Sequence, residues 1–388
     1  MLSGKEVTVL GAGVAGLAVA TALARRGAAV RILEQAPAIR EVGAGLQISP
    51  NGLAVLDALG LGPAAAEAGQ VAEAVELVDG QTGQLVTRID LLALAPRGRF
   101  RFFHRADLIA LLETGAQAAG VELLLGHKVD SVELGAGDPA VMVGGRRVQA
   151  PLLIGADGLH SQVRAALNGT ATPFFTGQVA WRATLPAEGP IPPVARVYMG
   201  PGRHIVTYPL REGSLRNVVA VEERRTWVEE SWSLTDDPLA PRIAFEDFVP
   251  EVRGWLDRIE RPNLWGLFRH PVAAHWQGQG AAILGDAAHP TLPFLAQGAN
   301  LAFEDAWVLA TALDRQPVAA ALAAYQAARA PRAARVIAAA NANARHYHLG
   351  GIRRDLAHAG LRMLDRFAPR AAGNRFRWIY GHDVTGGC

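Results

Sequence analysis

Cysteine is almost missing from this sequence: of 388 residues the only one is Cys388, the last. No intrachain disulfide can form, no cysteine zinc cluster can assemble, and a reducing cytoplasm is the expected setting. An excess of charge is missing too. The 38 basic and 36 acidic residues leave a formal charge of +2, and the arginine pairs beginning at 25, 146, 224 and 353 are scattered rather than gathered in one block. Such a balance gives no electrostatic footprint for nucleic acid or an acidic membrane, so neither is an expected partner. Long apolar runs are scarce. The one stretch that could pass for an anchor, "VTVLGAGVAGLAVATALA" from Val7, is short for a span and broken by three glycines. No repeat or disordered block stands out, and no metal site is expected.

What is present is a chain long enough for two domains sharing an interface. "VTVL" at 7–10 reads as a buried strand, "VAGLAVATALARR" as a helix and "AAVRILE" at 28–34 as a second strand. Together they form a βαβ unit. Gly11, Gly13 and Gly16 fall at its first turn in G-x-G-x-x-G spacing, and Glu34 closes the second strand 18 residues after Gly16. The first glycine permits the tight turn, the second lets a pyrophosphate approach the backbone, and the third lets helix and strand pack closely. The N–H groups of the helix start face the phosphates, and the acid accepts both hydroxyls of an adenosine ribose. An acid here favours a free 2′-hydroxyl, as in FAD or NAD, over the 2′-phosphate of NADP.

Further along, "RADLIALLETGAQAAG" from Arg105 predicts an amphipathic helix, followed by strand-like "VELLLGHKV" and a buried strand "APLLIGADG" ending at Asp157–Gly158. From about 172 to 279 the texture changes to alternating β-type runs with six tryptophans (181, 227, 232, 255, 265 and 276), which predicts an inserted sheet with a helical patch near 240–258. "AAILGD" at 281–286 returns to the buried-strand pattern, "GANLAFEDAWVLATAL" opens a helix, and alanine-rich helix fills most of the rest, with a break at "GGIRR" near 350.

Four features in this order resemble the single-component FAD-dependent aromatic hydroxylases, the p-hydroxybenzoate hydroxylase fold family. They are "GAGVAG" with Glu34, "FFHRADL" at 102–108, "LLIGADGLHSQVR" at 152–164 and "ILGDAAHPTLPFLAQGAN" ending at Asn300. Within it the chain is most similar to the salicylate hydroxylase, 3-hydroxybenzoate 6-hydroxylase and 6-hydroxynicotinate 3-monooxygenase branch, through "VGAGLQISPNG" at 42–52, "AWRATLP" at 180–186, the His204/Tyr208 pair and the tail "WIYGHDV". The resemblance implies an α/β fold: a Rossmann-like FAD-binding domain (1–75, 101–171 and 280–315), an inserted, mostly antiparallel substrate sheet (76–100 and 172–279) and C-terminal helices (316–388). It also implies bound FAD, NAD(P)H and O2 as co-substrates, a small aromatic or N-heteroaromatic substrate, and hydroxylation through a flavin C4a-hydroperoxide. The expected assembly is a monomer or homodimer.

The resemblance assigns the cofactor to Gly11, Gly13, Ala15, Gly16, Glu34, Gln35, Gln47, Arg105, Val129, Asp157, Asp286, Gly298, Ala299 and Asn300. By that likeness Asp286 hydrogen-bonds the ribityl chain, Arg105 meets phosphates or ribityl hydroxyls, Val129 lies beside the adenine through its backbone, and Asp157 with Arg164 serves flavin and nicotinamide. The helix start at Gly298–Asn300 faces the flavin's pyrimidine side, where its N–H groups suit the negative charge of the reduced ring. The catalytic set is His204, Tyr208, Gln47 and Pro293. His204 and Tyr208, four apart in "RHIVTYPL", project from one strand face. By resemblance the histidine is the base or proton relay for a phenolic proton. The tyrosine bonds the substrate, Gln47 reaches substrate or isoalloxazine, and Pro293 lines the flavin. Phe294 departs from the nicotinate-type enzymes, which carry histidine there. Arg182 and Arg203 are expected as solvated surface residues rather than carboxylate ligands.

Competing readings differ in what they explain. A nicotinamide-only dehydrogenase accounts for the first βαβ unit but not for the later motifs. The sequence has no W-x-W-x-I-P motif of the halogenases and no cysteine pair for disulfide redox. A non-catalytic flavin-binding regulator shares the same motifs, and substrate-stimulated NAD(P)H oxidation separates it from an enzyme.

Overall fold

A computed structural model describes residues 2–39, 45–95, 99–170, 172–224, 234–368 and 370–386, with the backbone alone at 344 and 345. Residues 42–44 of the "VGAGLQISPNG" segment, Trp227, Trp232 and Cys388 lie outside the described residues.

One layer is a six-stranded sheet in the spatial order Gln277–Gly278, Ala281–Ile283, Leu153–Gly155, Glu6–Leu10, Ala29–Glu34, Glu122–Leu125. Every pairing is parallel except at the two-residue edge strand. Its central strands are mostly apolar because both faces are covered. Val7, Val9, Leu153, Ile154 and Ala281–Ile283 are all buried. The helix Val14–Ala24 packs against this sheet and against Gly298–Arg315, and is buried from Gly16 to Leu23, so small residues replace a polar face. Chain order reverses about the first strand: the second lies on one side of it and Leu153–Gly155 on the other. Open α/β sheets bind ligands outside the carboxyl ends of their strands at such a reversal.

The second layer is a seven-stranded sheet, ordered Asn263–Arg269, Phe174–Pro186, Leu215–Glu223, Arg203–Leu210, Val194–Gly200, Ala74–Asp79, Leu85–Asp90. It is antiparallel except where Val194–Gly200 meets Ala74–Asp79. The two faces do different work. Val179, Trp181, Ile205, Val218 and Ala220 pack on Phe245, Phe248 and Trp255, around the short helices Leu239–Ala244 and Pro250–Asp257. The opposite face, with Ala180 and Val221, packs on Leu292 and Phe294 from the loop that follows the parallel sheet.

Two small antiparallel sheets hold the other paired strands among the described residues. Val129–Glu133, Ala140–Val143 and Arg146–Gln149 form a meander, and Arg101–His104 pairs with both Gly45–Ile48 and Gln70–Val71. The C-terminal part is helical, Val318–Tyr347 then Gly351–Phe367, with the break where "GGIRR" predicts it. Among the described residues no helix is long and apolar enough to cross a membrane.

Candidate active site

Four adjacent parallel strands deliver four of the expected cofactor residues to one edge. Gly11 follows the strand ending at Leu10, Glu34 ends its own strand, Asp157 comes two residues after Gly155, and Asp286 three after Ile283. Gln35, exposed, and Val129, half-buried, stand at the end of this row opposite to Asp286.

The three motif glycines are needed for different reasons. Gly11 has φ +95°, and a Cβ there would lie 2.6 Å from the Ala156 carbonyl oxygen; one on Gly16 would lie 1.8 Å from the Gly11 oxygen. Both are demanded by the protein's own backbone. A Cβ on Gly13 would meet nothing within 4 Å. The space beside Gly13 therefore fits a ligand that must come close to the main chain. Glu34 closes this mouth: one carboxylate oxygen accepts from Ala12 N and the other from Ala36 N, each at 2.8 Å.

The distal motif meets the first one physically. Gly285 has φ +58°, and a Cβ added to it would lie 3.0 Å from Ala15 Cβ, so its bareness seats the Asp286 turn against the nucleotide helix. Asp286 is solvent-accessible although protein surrounds it, as for a side chain lining a cleft. Desolvation there pushes its carboxyl above the usual range, opposed by the charges of His289, Arg105 and His270. Asp157 is likewise raised by desolvation; its Oδ2 accepts from Gln162 N at 2.8 Å, while Oδ1 is buried with no hydrogen-bond partner among the described residues. An orphaned carboxylate oxygen and the open ground at Gly13 both fit a polar cofactor along this edge.

Behind the turn lies an ionic network that sequence reasoning missed. Asp305 Oδ2 accepts from Gly285 N (3.2 Å) and bonds the His289 ring, while Arg329 Nε donates to Asp305 Oδ1 at 2.7 Å. Glu304 accepts from Arg332 Nε and Asn51 Nδ2, both at 2.6 Å. Desolvation alone would raise the Asp305 carboxyl, but His289 and Arg329 overcome it and hold it low. The signal was the pair of acids inside the apolar run "LAFEDAW": acids so placed are buried only when paired.

No described side chain caps the helix Gly298–Arg315, so the N–H groups of Gly298, Ala299 and Asn300 open its N-terminus. The Asn300 side chain is committed elsewhere, donating to the Gln47 and Ala296 carbonyls and accepting from Ser49 N. It ties the helix start to the strand carrying Gln47, which is half-buried. Arg105 opens its helix as expected, close enough for its charge to act on Asp286 and Arg182.

His204 and Tyr208 share the sheet face turned to this edge. Tyr208 stacks on Phe102 with ring centroids 5.0 Å apart, and a Cβ on Gly45 would lie 2.5 Å from its ring. Desolvation pushes its hydroxyl pKa up, against the pull of Arg182, so the phenol stays protonated. His204 is 1% exposed, with Phe294 and Tyr347 rings at 5.8 and 5.2 Å, and its Nδ1 lies 2.7 Å from His348 Nε2. Desolvation, then the neighbouring His348, pulls its pKa well below that of a free imidazole. Pro293 begins the turn Pro293–Leu295 and lines a cleft with Asp286, Leu159, Arg182 and Trp265.

Arg182 differs from its expectation as a solvated residue. It is only partly accessible, lies 4.5 Å over the Trp265 ring, and its Nε is buried with no hydrogen-bond partner among the described residues. The neighbouring strand Asn263–Arg269 supplies that tryptophan. Arg203 is half-buried too, with its Nε unpaired among the described residues, but its guanidinium is committed to Asp247 at 2.7 Å.

A family model described as an FAD binding domain matches residues 5–340. The 3-hydroxybenzoate 6-hydroxylase of Polaromonas naphthalenivorans (strain CJ2) is 34% identical over 98% of this chain and 97% of its own length. This chain belongs to the FAD-dependent aromatic hydroxylases. A second relative of this hydroxylase, the 3-amino-4-hydroxybenzoate 2-monooxygenase of Streptomyces cremeus, is 36% identical over 89% of this chain and 88% of its own. Among solved structures, a salicylate hydroxylase substrate complex superposes with a TM-score of 0.83 at 25% identity, covering 98% of this hydroxylase and 96% of that chain. The hydroxylase is thus an FAD-dependent monooxygenase with NAD(P)H and O2 as co-substrates.

Proposed function

We propose that this enzyme hydroxylates a small phenolic aromatic acid of the hydroxybenzoate class, bound between the His204–Tyr208 strand face and the loop Asp286–Phe294. The observation that carries the reading is the shared wall. Arg182, with an unused N–H, borders the cleft beside Asp286, and a neutral His204 and a protonated Tyr208 stand on the same sheet face. Relatives named for hydroxybenzoate and aminohydroxybenzoate substrates support that class.

The residue roles follow from the chemistry. Gly13 admits the pyrophosphate at a turn that Gly11, Ala15 and Gly16 shape, Glu34 and Gln35 hold the ribose, and Val129 lies by the adenine. Arg105, Asp157 and Asp286 hold the central part, and Gln47 with the Gly298–Asn300 helix start holds the ring end. Bound FAD supplies reduction by NAD(P)H and insertion of oxygen from O2. His204, neutral because it is buried, accepts the phenolic proton, which makes the ring nucleophilic. Tyr208 orients the phenolic oxygen by hydrogen bonding. Arg182, stacked on Trp265, takes the carboxylate. Phe294 and Leu292, packed on Ala180 and Val221, keep the pocket dry, and the Pro293 carbonyl borders it. The division into three parts at the boundaries given above, a cytoplasmic location and a monomeric or homodimeric state belong to the same proposal.

The test is a panel of hydroxybenzoates, hydroxynicotinates and simple phenols offered to the purified yellow protein with NADH or NADPH. A hydroxybenzoate should stimulate nucleotide oxidation and gain one oxygen by mass. If only compounds lacking a carboxylate do so, the substrate class is wrong.

A further inference from the structure

We propose that His204, His348 and Glu223 form a wire that carries the substrate's phenolic proton from the buried pocket to solvent. The inference rests on the phenolic substrate proposed above, and it adds two residues that the sequence reading did not single out.

The three side chains come from separate places in the chain and meet in a line. His204 Nδ1 lies 2.7 Å from His348 Nε2, and His348 Nδ1 lies 2.6 Å from Glu223 Oε1. Exposure rises along the line, from 1% for His204 through 4% for the His348 side chain to 53% for that of Glu223. Sheet register sets the two ends. His204 pairs with Val221 on the neighbouring strand, and Glu223, two residues on, projects from the same face. The middle is fixed by the backbone: His348 caps the helix Val318–Tyr347, and its carbonyl accepts from Gly202 N at 3.2 Å.

The order of donors follows from the outermost group. An ionised carboxylate only accepts, so His348 must carry its proton on Nδ1. A neutral His348 then offers Nε2 as acceptor, and His204 must donate from Nδ1. That leaves His204 Nε2 with the lone pair, the state a base toward a phenol requires. The transfer balances: the phenolic proton moves to His204 Nε2, the Nδ1 proton of His204 to His348 Nε2, and the Nδ1 proton of His348 to Glu223. Glu223 releases it to water, and the pocket retains a phenolate with both imidazoles neutral. Desolvation lowers both imidazoles, His204 well below the free value, while Glu223 draws His348 back up. A proton on His204 is therefore driven outward.

The test uses the FAD-loaded enzyme, 3-hydroxybenzoate as probe and a pH-indicator dye in weak buffer, followed by stopped flow. Wild type should release one proton as the phenolate forms. His348→Gln should bind the probe but release the proton about 100-fold more slowly, the scale of a lost proton-transfer group. Glu223→Gln, at an exposed position where folding is not at stake, should slow release by less. Equal release rates in wild type and both variants, at matched occupancy, overturn the wire. Nitrogen-15 NMR of the ligand-free protein gives a second measure: His204 protonated on Nδ1 supports the wire, and His204 protonated on Nε2 overturns it. If wild type binds neither 3-hydroxybenzoate nor any other phenol, the substrate proposal fails, and the tautomer alone decides whether the wire exists.

Discussion

The cofactor edge of the parallel sheet and the substrate face of the second sheet are built in opposite ways. At the cofactor edge main-chain features, bare glycines, turns just past strand ends and an uncapped helix start, work beside short-range carboxylates set at the strand ends. On the substrate face the working groups are side chains delivered from far apart, His204 and Tyr208 from one strand, Arg182 from another, and His348 from the end of a helix more than a hundred residues later. A backbone site is stiff and indifferent to most side chains, so it suits a cofactor that does not change. A side-chain site can be re-set by single substitutions, which suits the selection of one ring among many.

The contrast breaks first at the glycines, where the largest effect is expected. Gly16→Ala places a Cβ 1.8 Å from the Gly11 oxygen, and backbone cannot yield there cheaply. It should cost about 3 kcal/mol or more of stability and give colourless protein. Gly13→Ala meets nothing within 4 Å. Its apoprotein should melt as wild type does, yet bind FAD at least about tenfold more weakly, roughly 1.4 kcal/mol. Flavin titration with thermal melts of the apoproteins checks both, and equal melting losses in the two variants would end the distinction drawn between these glycines.

The same contrast explains what the sequence could show. Gly11 to Glu34 is legible because strand, turn, helix and acid follow one another within a short stretch, and each turn constraint is local. The convergence of Gly285 on Ala15 was legible only through resemblance, since nothing near either residue demands the other. Val129–Glu133 and its meander partners gave little signal, because short, half-exposed strands carry no clear alternation. Arg182 was misjudged because a lone arginine is usually solvated, and the tryptophan that covers it lies on a strand remote in sequence. His348 gave no signal at all: a histidine at a helix end is common, and only sheet register brings Glu223 to its other side.

On the substrate face, His204→Ala should leave FAD bound while product formation falls about 100-fold, with NAD(P)H oxidation less affected and the difference appearing as hydrogen peroxide. Full coupling in this variant would remove His204 from the mechanism. The pH profile of wild type sharpens the point. Desolvation and His348 place the folded-state pKa of His204 below 6.5, so the imidazole stays neutral as pH falls through the ordinary histidine range. Product formation should therefore persist below pH 6.5. The sign for stability is the reverse: the unfolded chain takes up a proton there that the folded one refuses, so His204 makes folding less favourable as pH drops.

The last of these effects concerns Arg182, where the two modes of construction meet. Its guanidinium lies on Trp265 and borders the same cleft as Asp286, so it touches both the cofactor edge and the substrate wall. Arg182→Met keeps the stacked bulk and removes the charge. Losing charge-assisted bonds to a carboxylate costs about 2 kcal/mol, which should raise the KM for a hydroxybenzoate roughly 30-fold with little change in kcat. A phenol without a carboxylate separates substrate recognition from support of the cofactor. Its KM should be the same in both proteins if Arg182 holds the carboxylate, whereas an equal rise for both compounds, accompanied by weaker flavin binding, would assign Arg182 to the cofactor edge.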